Sequence, residues 1–443
     1  MAYPWTDIWS TRGEWTLPAV STVIQIGRLG PFSLGRLRRH GKRVPAICAL
    51  FALVLTSACA PRVSVPEKPI ATDVPPTPVA ARYRRSGPQG NGASTGPIAR
   101  VGAILSLTGS ATMTGQSQRA GIKLAQDEIN TSQMLGKTRL EVTIEDDASD
   151  RNQAASVLQK FIDNSHAVAI LGPTLSDVAL SVDPVAQEAG VPVVSISNAA
   201  GGITQIGNYI FRDALSESQL APQIIKQVCA RLKLRNAALL YTNTDPNRTG
   251  SHGFKAALQD AGVNIVAETS FQPDARDVSS QLGEIAAARP DAVFVTAPGG
   301  LAASILIQAR QAGLENVPIV GSNAFNSSSV LSSAGAAAEG LIVGSAWSMS
   351  NPSPANRQFV DAYRARYGTD PDQFAAQAYT GVYILAAALH DAGTVTDSHA
   401  VRDALEHVQL NDSPLGPFSF DDAHDARYGP IVQIVRNGSF APF

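Results

Sequence analysis

Beyond residue 97 the chain alternates two hydrophobic patterns. Short runs of β-branched and apolar residues, bounded by turn formers, give way to stretches whose apolar residues recur at helical spacing. The first half reads as strand 99–105, helix 115–130, strand 140–146, helix 151–163, strand 167–171, helix 176–188 and strand 192–197. In helix 115–130, Ile122, Ala125, Gln126 and Ile129 share one side, a largely apolar stripe. The alternation then restarts with strand 236–242, helix 253–261, strand 263–270, helix 278–288, strand 291–296, helix 301–312 and strands 317–321 and 341–345. Helices 355–367 and 374–392 and short strands 417–420 and 431–435 end the chain. Repeated strand–helix units predict an α/β fold with parallel sheets covered on both faces. The restart near 214–218 predicts two such halves. Open α/β sheets take ligands at the carboxyl ends of their strands. Two facing sheets would therefore enclose a cleft rimmed by loops that here are rich in Ser, Thr, Asn and Gly.

The preceding segment has a different character. Residues 35–43 are strongly basic, 44–58 are apolar and end in small residues, and Cys59 follows. A basic region, a short apolar region and a small-residue boundary make a secretory signal, and the apolar run is too short to span a bilayer. Residues 1–58 are thus expected to be a signal segment with an unassigned N-terminal extension. The stretch Leu55-Thr56-Ser57-Ala58-Cys59 resembles a bacterial lipobox, which implies lipidation of Cys59, although Thr56 stands where Leu is usual. Ordinary secretion with cleavage near Ala58 or Ala60 is the alternative. The Pro-, Gly-, Ser- and Thr-rich stretch that runs to residue 97 reads as a tether. Its Gly92-Ala93-Ser94-Thr95-Gly96 matches a nucleophile-elbow pattern only formally, because it follows no strand and opens no helix.

Composition narrows the function. Of 443 residues, 44% are hydrophobic and 16% charged, which supplies ample core. The basic residues before Cys59 mask an acidic body: from there on 28 Lys and Arg face 35 Asp and Glu, a net of −7. An acidic body argues against a nucleic-acid partner. With Cys48 in the signal and Cys59 assigned to a lipid, Cys229 stands alone, so no internal disulfide forms. No Cys/His spacing suggests a metal site, and His399 and His407 lack a third ligand. Asp146-Asp147, at a strand end before a helix, reads as a capped, solvated turn rather than a carboxylate pair. No nucleophile, base and oxyanion site stand in register, so neither an enzyme nor a cofactor is expected.

Several segments carry a resemblance. They are Leu107-Thr108-Gly109 with Gly115-Gln116, residues 145–150, Ile170-Leu171-Gly172-Pro173 with Ser176, residues 189–195, Phe211-Arg212, residues 308–313, Val320-Gly321-Ser322 and Ala338-Glu339-Gly340. In this order and spacing, residues 98–443 resemble the leucine/isoleucine/valine-type periplasmic binding proteins, of the type 1 periplasmic-binding fold. The resemblance implies two Rossmann-like lobes joined by crossing segments: 98–215 plus 349–427, and 216–348 plus 428–443. It implies a monomer that closes on a small solute and presents the closed shape to an ABC permease. A sensory lipoprotein on the same fold, controlling a partner envelope protein, is the second reading.

In that family lobe one grips a carboxylate with hydroxyls and backbone N–H groups at helix starts. The resemblance assigns such contacts to Thr108 and Thr114 on the first loop, to Thr174 and Ser176, and to Ser195, Ser197 and Asn198 after a strand. Each is also an ordinary turn or capping residue. The departures fall mostly in lobe two. Pro246-Asn247 occupies the place of a family aromatic followed by Gly, Pro298 that of a second aromatic, and Asn323 that of the acid that pairs with a ligand ammonium. In lobe one Ala199 replaces a Thr. A buried ammonium needs a compensating charge or acceptors. The solute is therefore expected to be small and polar, with a carboxylate as its candidate lobe-one end, and not a standard α-amino acid held in the usual way. Asp245, Asn247 and Asn323 are the lobe-two candidates, with Asp245 as a shifted carboxylate.

Overall fold

A computed structural model describes residues 96–443. The expected signal segment, Cys59 and the tether through residue 95 lie outside the described residues.

Two open sheets organise the body. The first holds β1 (Ile98–Leu105), β2 (Arg139–Asp146), β3 (Ala169–Leu171), β4 (Val193–Ser195) and β5 (Ile210–Arg212), all parallel, in the order β2-β1-β3-β4-β5. These strands are near-continuous runs of Val, Ile, Leu and Ala because both faces are covered. Helix α1 (Thr112–Ser132) lies on one face, and α2 (Arg151–Asp163) and α3 (Ser176–Ala189) on the other. Asp150 caps α2 by accepting the N–H groups of Asn152 and Gln153.

The chain then crosses to a second sheet. Its helices are α4 (Glu217–Leu232), α5 (Asp245–Asp260), α6 (Ser279–Ala287), α7 (Gly299–Gln311) and α8 (Ser328–Ala334). Its parallel strands are β6 (Asn236–Thr242), β7 (Asn264–Phe271), β8 (Ala292–Thr296), β9 (Ile319–Gly321) and β10 (Ile342–Ser345). Next come α9 (Pro354–Tyr367), α10 (Gln373–Ala392) and α11 (Ser398–Leu405), then a two-stranded ribbon of β11 (Gln409–Leu410) and β12 (Phe418–Ser419). Helix α10 is buried continuously from Gln373 to Leu389 and packs along α1, so the late helices cover the first sheet. The last strands, β13 (Ile431–Arg436) and β14 (Ser439–Pro442), return antiparallel to the second sheet, giving β14-β13-β10-β9-β8-β6-β7.

The α/β class and its parallel sheets agree with the sequence pattern. Strand β5 and helices α4 and α8 have no counterpart in it. Helix α4 carries Pro222 in its interior, a breaker signal, yet it forms because Ser216 and Gln219 make a reciprocal capping box and Leu220, Ala221, Ile224, Ile225 and Val228 are buried. Helix α5 starts eight residues before the expected 253, since its first turns, DPNRTGSH, lack an apolar stripe. The turn at 146–150 is capped, but Asp147 is fully buried rather than solvated.

Candidate functional site

The carboxyl ends of the first sheet are tied into one rim by a buried amide. Gln118, on α1, donates from Nε2 to Ser197 Oγ at 2.8 Å and accepts at Oε1 from Thr174 Oγ1 at 2.6 Å. Thr174 Oγ1 also accepts the Ser106 N–H at 3.0 Å, and Ser197 Oγ donates to the Thr174 carbonyl at 2.7 Å. The loops after β1, β3 and β4 thus share one hydrogen-bond network that satisfies their buried polar groups. On the outer edge, Asp146 accepts from the N–H groups of Leu107, Thr108 and Ala148 and from Thr108 Oγ1. Burial alone would raise its pKa, but these bonds outweigh it and hold the carboxylate below its ordinary range.

Arg212 braces the loop after β4. Its side chain is 1% exposed, and NH1 donates to the carbonyls of Asn198 (3.2 Å) and Ala200 (2.6 Å). Asp425 balances the charge, with Oδ1 2.6 Å from NH2 and 2.8 Å from Nε. The Ser195 hydroxyl, at the end of β4, and both amide atoms of Asn198, in this loop, are buried without a protein partner. Next along the chain, Asp213 is fully buried and both its carboxylate oxygens lack a partner, so burial pushes its pKa well up.

The second sheet presents a matching rim. The adjacent strands β8 and β6 end at Thr296 and Thr242, at the spacing of about 4.8 Å between neighbours, and Asn323 lies two residues past the end of β9. Asn323 Oδ1 and Thr242 Oγ1 are buried without a partner. Helix α5 brings Gly250 to Thr296 so closely that a methyl on it would sit 2.9 Å from the Thr296 methyl. The same added methyl would lie 3.5 Å from the carboxyl carbon of Glu217, the first residue of α4. Glu217 Oε2 is buried without a partner, and burial raises the pKa of this carboxyl to about 7.

The two rims meet. The Glu217 N–H donates to the Ala199 carbonyl at 2.8 Å. A methyl on Gly300, at the start of α7, would lie 2.8 Å from the carbonyl oxygen of Ser110, in the loop after β1. Gly201 faces the Thr249 methyl in the same way at 3.8 Å. Gln373, on α10, donates to the Asn323 carbonyl and accepts from Asn326. Between these contacts the polar atoms left over are acceptors, hydroxyls and one amide donor, Asn198 Nδ2. The arrangement suits non-covalent capture of a small polar molecule from both sides.

The sequence-predicted residues distribute as follows. Thr174 and Ser197 are spent on the Gln118 network, and the Thr108 hydroxyl on Asp146. Ser176 begins α3 and its Oγ lies 3.5 Å from the Ala200 N–H, while Thr114 is half-buried on α1. Ser195, Asn198 and Asn323 keep buried polar atoms without partners. Asp245 opens α5, and Asn247 donates to Thr244 Oγ1 at 2.8 Å. The sequence reading did not include Gln118, Arg212, Glu217, Thr242 or Thr296 among the candidates. Strand ends would have signalled Thr242 and Thr296; the others are visible only through long-range contacts. A hollow of about 350 Å³, lined by Asn326, Trp347, Asp372, Gln373 and Gln433 among others, lies where α8, the start of α10 and β13–β14 meet. It carries none of the predicted residues.

Fold and rims together define a two-lobed α/β binding protein whose strand ends face one another. The model of the periplasmic binding protein family matches residues 99–439, and the chain belongs to that family. It is a solute-binding protein of extracytoplasmic type, not an enzyme. Among curated relatives, the leucine-, isoleucine-, valine-, threonine- and alanine-binding protein of Pseudomonas aeruginosa is 26% identical over 336 residues, covering 76% of this chain and 88% of that one. Among solved structures, the branched-chain amino acid transporter substrate-binding protein LivJ of Streptococcus pneumoniae, in complex with isoleucine, aligns with a TM-score of 0.72 and 28% identity, over 78% of this chain and 98% of that one. An ABC transporter solute-binding protein of Rhodopseudomonas palustris in complex with 3,4-dihydroxybenzoic acid aligns with a TM-score of 0.72 and 26% identity, over 78% and 96%.

Proposed function

We propose that this chain is the solute-capturing component of an ABC importer, closing its two lobes, 98–215 plus 349–427 and 216–348 plus 428–443, on a small polar solute. The observation that carries the reading is the set of buried polar atoms without protein partners on both rims: Ser195 and Asn198 on one, Glu217, Thr242 and Asn323 on the other. Such atoms are costly to bury, and a solute that satisfies them stabilises the closed form over the open one. Ser176, Thr114 and the N-terminus of α3 complete the lobe-one side as an anion seat. On the lobe-two side Asn323 removes the family's acid, so a standard α-amino acid is not held in the usual way. The relatives named above, which take isoleucine or 3,4-dihydroxybenzoic acid, support a small solute with at least one polar end. Cys59 carries the lipid that keeps the body, as a monomer, beside its permease. Mass spectrometry of protein purified without denaturation tests the reading. One small molecule retained at unit stoichiometry supports it. Protein that retains none, and that titrates with no amino acid, amine or aromatic acid, contradicts it.

A further inference from the structure

The second rim carries an acid that the family comparison does not anticipate. Glu217 sits where the chain first enters the second sheet, and its N–H holds the Ala199 carbonyl, the position at which the resemblance implies a ligand-contacting Thr. Its carboxyl packs against Gly250 of α5, whose other neighbour is the Thr296 methyl, so one residue ties the binding loop of one lobe to the strand-end region of the other. Glycine at 250 opens the space: any side chain there would collide with the Thr296 methyl and press on the Glu217 carboxyl. Capping of α4 falls to Ser216 and Gln219, so the carboxyl of Glu217 is not spent on its own helix.

A second set of atoms on the same rim points the same way. Asn323 Oδ1 accepts and Thr242 Oγ1 can accept; both are nine-tenths buried and without partners. Glu217 Oε2 and Asn323 Oδ1 are acceptors only, so this rim holds two buried acceptors that lack a donor. What is absent is a donor-bearing, positively charged group, which would replace the hydration that burial has stripped from the carboxylate. Asn323 took away an acid at the family position; Glu217 restores one, nearer the segment that joins the lobes.

We infer that Glu217 is the residue that selects the solute, by accepting the protonated amine of an amine-bearing molecule whose other polar end lies on lobe one. The inference rests on the capture reading and deepens it. It assigns a shifted cation seat, so the amine lies at a different angle to the lobe-one anion seat than a family acid at position 323 would hold it. Short amino acids with a displaced amine and small amine-bearing acids fit this spacing class.

Calorimetric titration tests it with matched probes: α-, β- and γ-amino acids, and the corresponding acids in which hydrogen or hydroxyl replaces the amine. Wild-type protein is expected to bind one or more amine-bearing probes and to bind the matched acid at least a hundredfold more weakly. Glu217→Gln is expected to lose on the order of thirtyfold or more for the amine-bearing probe, the loss typical of leaving one side of a buried charged pair unmatched. Glu217→Asp, which keeps the charge but shortens the reach, recovers part of the loss. Thermal unfolding of each ligand-free variant separates binding from folding. If a carboxylate without an amine binds, and Glu217→Gln leaves its affinity unchanged, the inference is overturned while the capture reading stands. If wild type binds no probe and retains no solute on purification, both fall. A retained solute without a basic nitrogen also overturns the inference alone.

Discussion

Gly300 is where closure can be blocked without touching the solute. It is exposed at the start of α7, and its φ lies outside the left-handed region, so a side chain is tolerated by the backbone. An added methyl would sit 2.8 Å from the Ser110 carbonyl oxygen, a backbone atom that cannot swing aside. Valine adds two further methyls in the same direction. Steric overlap of this kind costs about 1–3 kcal/mol. On the capture reading, opening of the lobes separates Gly300 from Ser110, so the cost falls on closure and appears as weaker binding. At about 1.4 kcal/mol per tenfold, Gly300→Val should weaken solute affinity by about 5- to 150-fold, with Gly300→Ala at the low end. Calorimetry with the retained solute measures the affinity, and thermal unfolding of ligand-free protein measures stability, which should match wild type. A valine variant that binds as tightly as wild type would refute the contact between lobes as the basis of closure. So would equal losses of affinity and ligand-free stability.

Three further outcomes follow from the buried polar groups. Arg212→Met should destabilise the protein by about 3–5 kcal/mol, because it leaves Asp425 and two loop carbonyls without their partner; urea denaturation reads this, and a loss under 1 kcal/mol would contradict the brace. Thr174→Val removes the hub that the Ser106 N–H and Gln118 share, and should cost about 1–3 kcal/mol in the same assay while also weakening binding; an unchanged midpoint would show that the network is not needed. Glu128, between α1 and α10, accepts the hydroxyls of Tyr379 (2.5 Å) and Tyr383 (3.0 Å), and burial, opposed by these bonds, raises its pKa to about 7. A carboxyl whose folded pKa exceeds its unfolded one keeps its proton in the folded state, so its contribution is full below about pH 4.5 and is lost as pH rises through about 7. Stability in that window should therefore fall with rising pH, by no more than about 3 kcal/mol from this group, and Glu128→Gln should flatten the slope.

The sequence made β1 to β4 of the first sheet legible because these strands are short apolar runs closed by turn formers, and their helices carry clean stripes, as at Ile122, Ala125 and Ile129. It hid α4 because Pro222 argues locally for a break while burial against the second sheet and a capping box argue for a helix, and the tertiary terms win. The site was half legible. Loops rich in hydroxyls and amides mark strand ends, which located Ser195, Asn198 and Asn323. Composition cannot show which hydroxyls are already committed: Thr174, Ser197 and Thr108 look equivalent to free ones until Gln118 and Asp146 are seen to bind them. Arg212 and Glu217 act across separations of 213 and 18 residues, distances at which no local pattern carries information.

Crystallisation of the protein with the solute it retains would be the most direct measurement of capture between the lobes. The account predicts density for a single small molecule in the seam, with polar atoms within hydrogen-bond distance of Asn198, Glu217 and Asn323 and with Gly300 against Ser110. Density seated elsewhere, for example in the hollow beside Trp347 and Gln433, with those three side chains still unpartnered, would contradict it.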